Sequence, residues 1–258
     1  MTIRKTEAIV LRSRDFSESS LVISFYTRDL GKINGLAKGI KSRRKKYGGY
    51  LQPFTYNDIV FYQKIHSGLC TVSQCNLRDF FPAIREDLEK TAYASYFVEL
   101  IDKTTPVQDE NIEIFNLLLR SLTLLSTEDA KKICRIFEIK LLDLLGLMPT
   151  ITNCIHCGSI IRGKARFSAS LGGTLCQRCF YKDYKSTPIL KGAIATIRYI
   201  SKQDYNQISR LRLTSAVEEN LREVLNLFLG FHLESQLKSL EFLEKINGNF
   251  LTSSRRFV

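Results

Sequence analysis

The sequence predicts an α+β protein in which a small barrel of five β-strands precedes an all-helical region that carries a module of four cysteines. Three observations support this fold class. Five short segments rich in β-branched and aromatic residues lie within residues 1–75. The apolar pattern changes to a helical period after Pro82, and two cysteine pairs interrupt the helical region. A chain of 258 residues can form one large domain or two smaller ones.

The predicted strands are separated by turn-like segments. They lie at 6–11, 20–26, 32–38, 56–63 and 69–74. So many strands in a short stretch favour a closed barrel over an open sheet, because closure leaves no exposed strand edge. The OB-fold is the five-stranded barrel that fits this count. An SH3-like barrel has a similar size, so the strand count leaves both open.

The predicted helices have apolar residues on one face. They lie at 85–103, 109–126, 128–146, 189–201 and 214–247. In the first of them, apolar residues recur four positions apart from Leu88 to Leu100. Gly146 stands where a helix C-cap is expected, and Pro149 prevents the third helix from continuing. Residues 150–182 are expected to form a compact loop-and-turn module.

The charge balance favours a polyanionic partner. Lys and Arg number 38 against 26 Asp and Glu, a formal net charge of +12. Residues 1–50 alone contain 12 basic and 4 acidic side chains, a net charge of +8. Such an excess attracts nucleic acid or an anionic membrane surface through long-range electrostatics and counterion release. The alternative is a generally basic protein without such a partner.

The hydropathy pattern predicts neither secretion nor membrane insertion. No apolar run approaches the ~18–20 residues that span a bilayer. The first residues lack a sustained apolar core and a small-residue cleavage site. We therefore expect a cytoplasmic protein with no membrane partner.

Four of the seven cysteines are grouped as Cys154-Ile-His-Cys157 and Cys176-Gln-Arg-Cys179. Each C-x-x-C pair can present two thiolates from one tight turn, so the two pairs predict one tetrahedral zinc site. Four thiolates saturate the ion, and the zinc should therefore be structural rather than catalytic.

Neighbouring residues refine this prediction. Gly158 should relieve the turn after the first pair, and His156 is expected to be a bystander. A redox-active dithiol is the competing interpretation, but neither pair is expected at a helix start after a strand. The other cysteines (Cys70, Cys75 and Cys134) lie in apolar patterns and should be small buried hydrophobic residues.

A basic segment at 38–46 contains six cations among nine residues, followed by Tyr47, two glycines and Tyr50. A basic loop on a barrel can follow phosphates, while aromatic rings can stack on unpaired bases. The candidate contacts of this segment are Lys38, Lys41, Arg43, Arg44, Lys45, Lys46 and Tyr50. Binding should be largely independent of sequence, because phosphate contacts carry no base information. A solvated loop, or a contact for an acidic protein, is the alternative.

Catalytic motifs are missing from the sequence, which favours a binding protein over an enzyme. There is no G-x-x-x-x-G-K-[ST] loop and no G-x-G-x-x-G opening a helix. The three histidines stand alone, and acidic residues are spread along helices rather than clustered for Mg²⁺.

With these residues the chain resembles the RecO family of bacterial recombination mediators. The opening carries Thr6-Glu-Ala-Ile-Val-Leu-Arg12 and Leu36-Ala-Lys38-Gly39, and Leu51-Gln-Pro53-Phe54 follows the basic segment. The cysteine segment fits from Leu145-Gly146-Leu-Met-Pro149 to Cys179, and Phe231 to Phe242 resembles the closing helix. These motifs cover most of the chain in the family's order.

The resemblance implies an N-terminal OB-fold and a helical C-terminal domain with the zinc module. It implies binding of single- and double-stranded DNA, annealing of complementary strands without ATP, and action with RecR. It also implies contact with the acidic C-terminal tail of the single-stranded DNA-binding protein, RecA loading onto gapped DNA, and a nucleoid-associated location in the bacterial cytoplasm. The segment 38–46 corresponds to a DNA-contacting region of the family, and Arg14 falls in another basic stretch.

The expected domains are an OB-fold at 1–80, a helical domain at 81–149 and 183–250, the cysteine module at 150–182 and a tail at 251–258. No family motif matches 105–135, and the pocket for the partner's tail cannot be placed. Two other classes stay open. One is a zinc-bearing RNA-binding or translation-associated OB-fold protein, and the other is a metal-dependent nuclease.

Overall fold

The computed structural model describes residues 2–39, 49–63, 68–208, 211–233 and 237–246. The chain forms two compact units. We call Met1–Ala130 with Leu237–Val258 the barrel unit, and Lys131–Gln236 the cysteine unit. None of the described helices combines the length and the apolar character that a membrane crossing requires. The predicted domain boundaries stay a prediction.

Five strands form a closed barrel in the barrel unit. They are β1 (Thr2–Asp15), β2 (Leu21–Thr27), β3 (Gly31–Ala37), β4 (Tyr56–Gln63) and β5 (Leu69–Asp79). The strand order is β1-β2-β3-β5-β4, and β4 closes the barrel against β1. β3 and β5 pair in parallel, whereas the other pairs are antiparallel. This arrangement is the OB-fold, so the predicted fold class is confirmed.

The barrel core comes from alternate residues of the strands. Side chains such as Val10, Phe25 and Ile59 are buried inside, as the period of two requires. β1 is longer than the predicted 6–11 because it serves two partners. Residues 2–9 pair with β4, and residues 8–15 pair with β2. Because polar residues occupy both ends of β1, the hydrophobic pattern does not predict its full length.

The helices are distributed over both units. In chain order they are α1 (Pro82–Arg85), α2 (Leu88–Thr104), α3 (Ile112–Leu125), α4 (Ala130–Leu144), α5 (Lys191–Lys202), α6 (Tyr205–Ile208), α7 (Ser215–His232) and α8 (Lys238–Ile246). Side chains cap the N-termini of α2 and α3. Asp87 accepts from the Lys90 N–H, and Asn111 accepts from the Glu113 and Ile114 N–H groups. Gly146 has φ +69 and ends α4, as predicted.

The single helix predicted at 214–247 is wrong, because the structure has two helices there. α7 ends at His232, followed by Leu233 in an extended conformation, and α8 begins at Lys238. α8 belongs to the barrel unit, where it packs on α2. Leucines continue at helical spacing through both helices, so the sequence pattern hides the break.

The segment after α2 lies against the barrel. The Gln108 N–H donates to the Lys32 carbonyl at 2.8 Å. Gly31 has φ +62, and a Cβ there would lie 1.8 Å from the Asp109 carbonyl oxygen. Only glycine fits this position, because both the backbone conformation and the close approach exclude a side chain. Part of the segment without a family motif thus has a structural role in the barrel unit.

The cysteine unit contains a small sheet that sequence analysis missed. Its strands are β6 (Ala165–Ser168), β7 (Gly173–Cys176) and β8 (Thr187–Ile189), in the order β7-β6-β8. A 3₁₀-helix, Gln177–Lys182, follows β7. The predicted loop-and-turn module is therefore more ordered than expected. Strands of three or four residues are too short to show an alternating pattern.

Candidate metal centre and nucleic-acid interface

The four grouped cysteines converge on one point. The first pair lies in a turn before β6, Cys176 ends β7, and Cys179 lies in the 3₁₀-helix. All four Sγ atoms are within 4.8 Å of one another, and all four cysteines are free. The Sγ atoms of Cys157 and Cys176 are 3.8 Å apart. A tetrahedral ion with Zn–S bonds of about 2.3 Å needs about 3.8 Å between sulfurs. The group could therefore hold a metal ion, and its size fits zinc.

The first cysteine turn needs a left-handed residue. Gly158 has φ +71, and its N–H donates to the Cys154 carbonyl at 2.9 Å. The Cys154 N–H in turn donates to the Ser159 carbonyl at 2.8 Å. No atom lies within 4 Å of a Cβ built on Gly158, so the backbone conformation rather than space requires glycine. The predicted role of Gly158 in the turn is confirmed.

The second cysteine pair follows a strand and begins a 3₁₀-helix, with Cys176 as its N-cap. The expectation that neither pair occupies such a position is wrong for this pair, because β7 was not recognised in the sequence. The convergence of both pairs distinguishes the group from an isolated redox dithiol. A centre of four sulfurs at these separations matches a saturated metal site.

The thiols of this group differ strongly in acidity. A hydrogen bond with Ser159 lowers the pKa of Cys157 to about 6. Burial raises the pKa of Cys179 to about 12, and the neighbouring cysteines add to the rise. Without a cation, four thiolates this close cannot all ionise, because they repel one another. Metal binding should therefore release protons and weaken in acid.

His156 lies beside the four grouped cysteines. Its Nδ1 is 3.7 Å from the Cys179 Sγ, and its ring makes an edge contact with Tyr181 at 6.5 Å. The described group of candidate ligands consists of the four cysteines without His156. Its role as a bystander stays a prediction.

Two of the predicted nucleic-acid contacts lie at the same end of the barrel. Arg14 is near the end of β1, and Lys38 follows the end of β3. The strand register aligns Asp15 with Leu21 and Leu21 with Ala37, which brings these strand ends to one rim. The side chains of Arg14 and Lys38 are exposed, and neither side chain has an ion-pair or hydrogen-bond partner among the described residues.

Of the other predicted contacts, Tyr50 alone lies among the described residues. Lys41, Arg43, Arg44, Lys45 and Lys46 lie outside the described residues. Tyr50 is half-buried and packs against the barrel core, and its carbonyl accepts hydrogen bonds from Thr55 and Asn57. Tyr50 thus helps to pack the barrel, and its contact with nucleic acid stays a prediction.

Several cations of the barrel unit are engaged within the unit. Arg12 and Lys32 both contact Asp102 of α2, at 3.5 and 3.8 Å. The Arg85 guanidinium lies between the rings of Phe54 and Phe80, about 4.1 and 4.0 Å from their centroids. These partners are distant in sequence, so charge counting could not identify which cations stabilise the unit. The exposed Arg14 and Lys38 are distinct from this group.

Sequence analysis also missed a cationic cleft in the cysteine unit. It has a volume of about 470 Å³ and is lined by Arg162, Lys164 and Arg178 beside the metal centre. A signal was present, because residues 150–190 contain six basic residues and one acidic residue.

Comparison with known proteins identifies relatives that match most of the chain. Residues 1–81 match the family Recombination protein O N terminal, and residues 85–241 match Recombination protein O C terminal. A DNA repair protein RecO from Pelotomaculum thermopropionicum is 36% identical over 245 residues, covering 95% of both chains. The RecO protein of Alkaliphilus metalliredigens is 34% identical, covering 94% of this chain and 99% of its own. That of Bacillus subtilis is 33% identical over 95% of both chains.

Proposed function

The chain belongs to the RecO family, and we propose that it is a DNA-binding recombination mediator that anneals complementary strands without ATP. Family membership supports a role in DNA repair and recombination. The observation that carries the finer proposal is the exposed pair Arg14 and Lys38 on one rim of the OB-fold. The basic segment 38–46 continues the chain from this rim.

The proposed mechanism is electrostatic. Cations on the rim and in the basic segment neutralise phosphates of two strands and release their counterions. Screening of the repulsion between the strands lets them approach, and base pairing then supplies the free energy of annealing. The protein performs no covalent chemistry in this mechanism. Because phosphates carry no sequence information, annealing should proceed with any complementary pair.

A structural zinc ion completes the proposal for the cysteine unit. We propose that Cys154, Cys157, Cys176 and Cys179 hold one Zn²⁺, supported by their separation and by the preference of zinc for four thiolates. Zinc supplies a cross-link there that joins the first cysteine turn to β7. The four sulfurs would leave no open position for a substrate.

The proposed partners follow from the family. They are single- and double-stranded DNA, RecR, the acidic tail of the single-stranded DNA-binding protein, and RecA as the recipient of the DNA. The cationic character of the chain is compatible with an acidic tail. A cytoplasmic, nucleoid-associated location accompanies this proposal.

Substitution of the basic segment tests the DNA-binding proposal. We expect K41A/R43A/R44A/K45A to bind single-stranded DNA more weakly. The slope of log K against log salt should fall in magnitude by up to about 3, because each phosphate contact contributes about 0.7. The variant R198A/K202A/R212A is the control, because it removes three exposed cations of the cysteine unit. Unchanged affinity and slope in the first variant would remove the basic segment from the mechanism.

Competition with RNA tests the other OB-fold class. Labelled single-stranded DNA should not be displaced more readily by RNA of equal length than by unlabelled DNA. Preferential displacement by RNA would instead favour an RNA-binding protein.

A further inference from the structure

The cleft beside the metal centre is built by two segments of the cysteine unit. Residues 159–164 form one side, and residues 176–178 form the other. Three of the nine lining residues are cationic, and none is acidic. Arg162, Lys164 and Arg178 are all exposed, and none has an ion-pair partner within the described ranges of the chain. Their charges are therefore available to an anion that enters the cleft.

Two neighbouring charged side chains form contacts outside the cleft. Arg166 donates to the Ser186 hydroxyl at 3.0 Å and stacks near Phe180. Asp183, the single acid in 150–190, accepts from the Ser168 hydroxyl at 2.6 Å and from the Lys185 N–H at 2.9 Å. Asp183 is thus engaged with its own loop and is not a lining residue of the cleft.

A bound zinc ion would reduce the positive charge of residues 150–190 without cancelling it. Six basic residues and one acid give residues 150–190 a formal charge of +5. A zinc ion with four thiolates has a charge of −2, and about +3 would remain. The three positive charges on the cleft exceed the net negative charge of the zinc ion with its four thiolates.

An exposed aromatic ring lies next to the cleft. Residues three apart in a 3₁₀-helix share a face, so Tyr181 lies one turn beyond Arg178 on the same side of Gln177–Lys182. Tyr181 is 56% exposed, and the Lys182 Nζ is 4.9 Å from the centroid of its ring. A solvent-exposed ring beside cations is the arrangement that binds unpaired bases and their phosphates.

We propose that this cleft is a second contact for single-stranded nucleic acid. Arg162, Lys164 and Arg178 bind the phosphodiester backbone, and Tyr181 stacks on an adjacent base. The cleft volume of about 470 Å³ lies within the range of small-ligand sites and accommodates a nucleotide. The exposed ring favours nucleic acid over an acidic peptide, which needs only the charges. This inference rests on the proposed DNA-binding function and adds a site in the cysteine unit.

The test compares two matched triple variants of the full chain. R162A/K164A/R178A removes the cleft cations, and R198A/K202A/R212A removes two arginines and one lysine from exposed positions elsewhere in the cysteine unit. Binding of a fluorescein-labelled oligo(dT) strand is measured by anisotropy at several salt concentrations. We expect the cleft variant to bind at least about 10-fold more weakly at about 50 mM salt. The slope of log K against log salt should fall in magnitude by about 2. The control variant should change much less.

Three outcomes would contradict the inference, and each differs from a failure of the proposed function. Equal losses in both variants would show an effect of overall charge. No loss in the cleft variant, with the wild type binding well, would exclude the cleft. Loss of binding to polyglutamate with unchanged DNA binding would assign the cleft to an acidic protein. If the wild type itself does not bind oligo(dT), the proposed function fails.

Measurement of metal content and a second variant distinguish a lost nucleic-acid contact from misfolding. Arg178 lies between two cysteines of the centre, so metal per chain is measured for each variant. R162A/K164A leaves the segment Cys176–Cys179 intact and should retain the metal while reducing the slope by about 1.4. Retained metal with an unchanged slope in this double variant would overturn the proposal.

Discussion

The carboxylate of Glu99 on α2 accepts a hydrogen bond from the backbone N–H of Ser239, at 2.8 Å, in the first turn of α8. It also accepts from the Ser239 hydroxyl and from the Lys238 N–H. A residue 140 positions away in sequence therefore caps the last described helix. This contact fixes the start of α8 within the barrel unit and accounts for a new helix beginning at Lys238.

Removal of this cap should destabilise the protein. Glu99→Ala loses hydrogen bonds to two N–H groups and the favourable charge at a helix N-terminus, so we expect a loss of about 1–2 kcal/mol in the free energy of unfolding. Urea denaturation measures it. Glu110→Ala, an exposed acid in the same unit, is the control and should change stability by less than about 0.5 kcal/mol. Equal stability of the two variants would contradict the capping role.

Substitution of Gly31 should be more costly than substitution of a glycine with the same conformation in open space. Gly31→Ala places a Cβ against the Asp109 carbonyl in addition to the strain of positive φ. Gly146→Ala, with φ +69 and no atom within 4 Å of its Cβ, has the conformational strain alone. We expect about 1 kcal/mol for Gly146→Ala and at least about 2 kcal/mol more for Gly31→Ala. Similar unfolding midpoints for both variants would exclude the close approach to Asp109.

Metal removal should destabilise the cysteine unit. We expect about one zinc per chain by elemental analysis, and a chelator should lower the melting temperature. Cys154→Ser should lose the metal, whereas Cys70→Ala, at a buried cysteine of the barrel, should retain it. The thiolates must lose protons to bind the ion, so metal retention should decrease as the pH falls. A metal-free protein with intact thiols and an unchanged melting temperature would overturn the structural zinc.

Glu7 should contribute to stability in a pH-dependent manner. Burial opposes ionisation, but hydrogen bonds from Tyr56 and Arg28 lower the pKa of Glu7 overall. Its contribution is therefore present above the pKa of the unfolded chain, and it is lost as the pH falls through the folded pKa. Glu7→Gln should cost up to about 1 kcal/mol at neutral pH, since the carboxylate is partly solvent-screened. Its cost should disappear in acid, as unfolding midpoints between neutral and acid pH would measure. A cost that is independent of pH would contradict this role.

Local patterns predicted much of this structure, because the relevant signals lie within short stretches. Enrichment in β-branched and aromatic residues located all five barrel strands, and C-x-x-C spacing located the four cysteines that could hold a metal ion. The start of α8 is capped by Glu99, which is distant in sequence, and so it could not be predicted from the leucine pattern. The sheet β6–β8 was missed because its strands are too short to show a period.

Charge was predictable in amount but not in arrangement. The sequence indicated a basic N-terminal segment, yet Arg12 and Lys32 are engaged by Asp102. The cationic cleft of the cysteine unit depends on the approach of residues 162 and 164 to residue 178. That approach requires the two cysteine pairs to converge. The C-x-x-C spacing predicted the convergence, but it could not predict where the neighbouring cations would lie.

Strand annealing tests the central claim most directly. Two complementary oligonucleotides are precoated with single-stranded DNA-binding protein and mixed with this protein in the absence of any nucleotide cofactor. We predict accelerated duplex formation that declines as salt is added, because the mechanism depends on neutralised phosphates. Tight binding to the bare strands without any acceleration of annealing would contradict the mediator function.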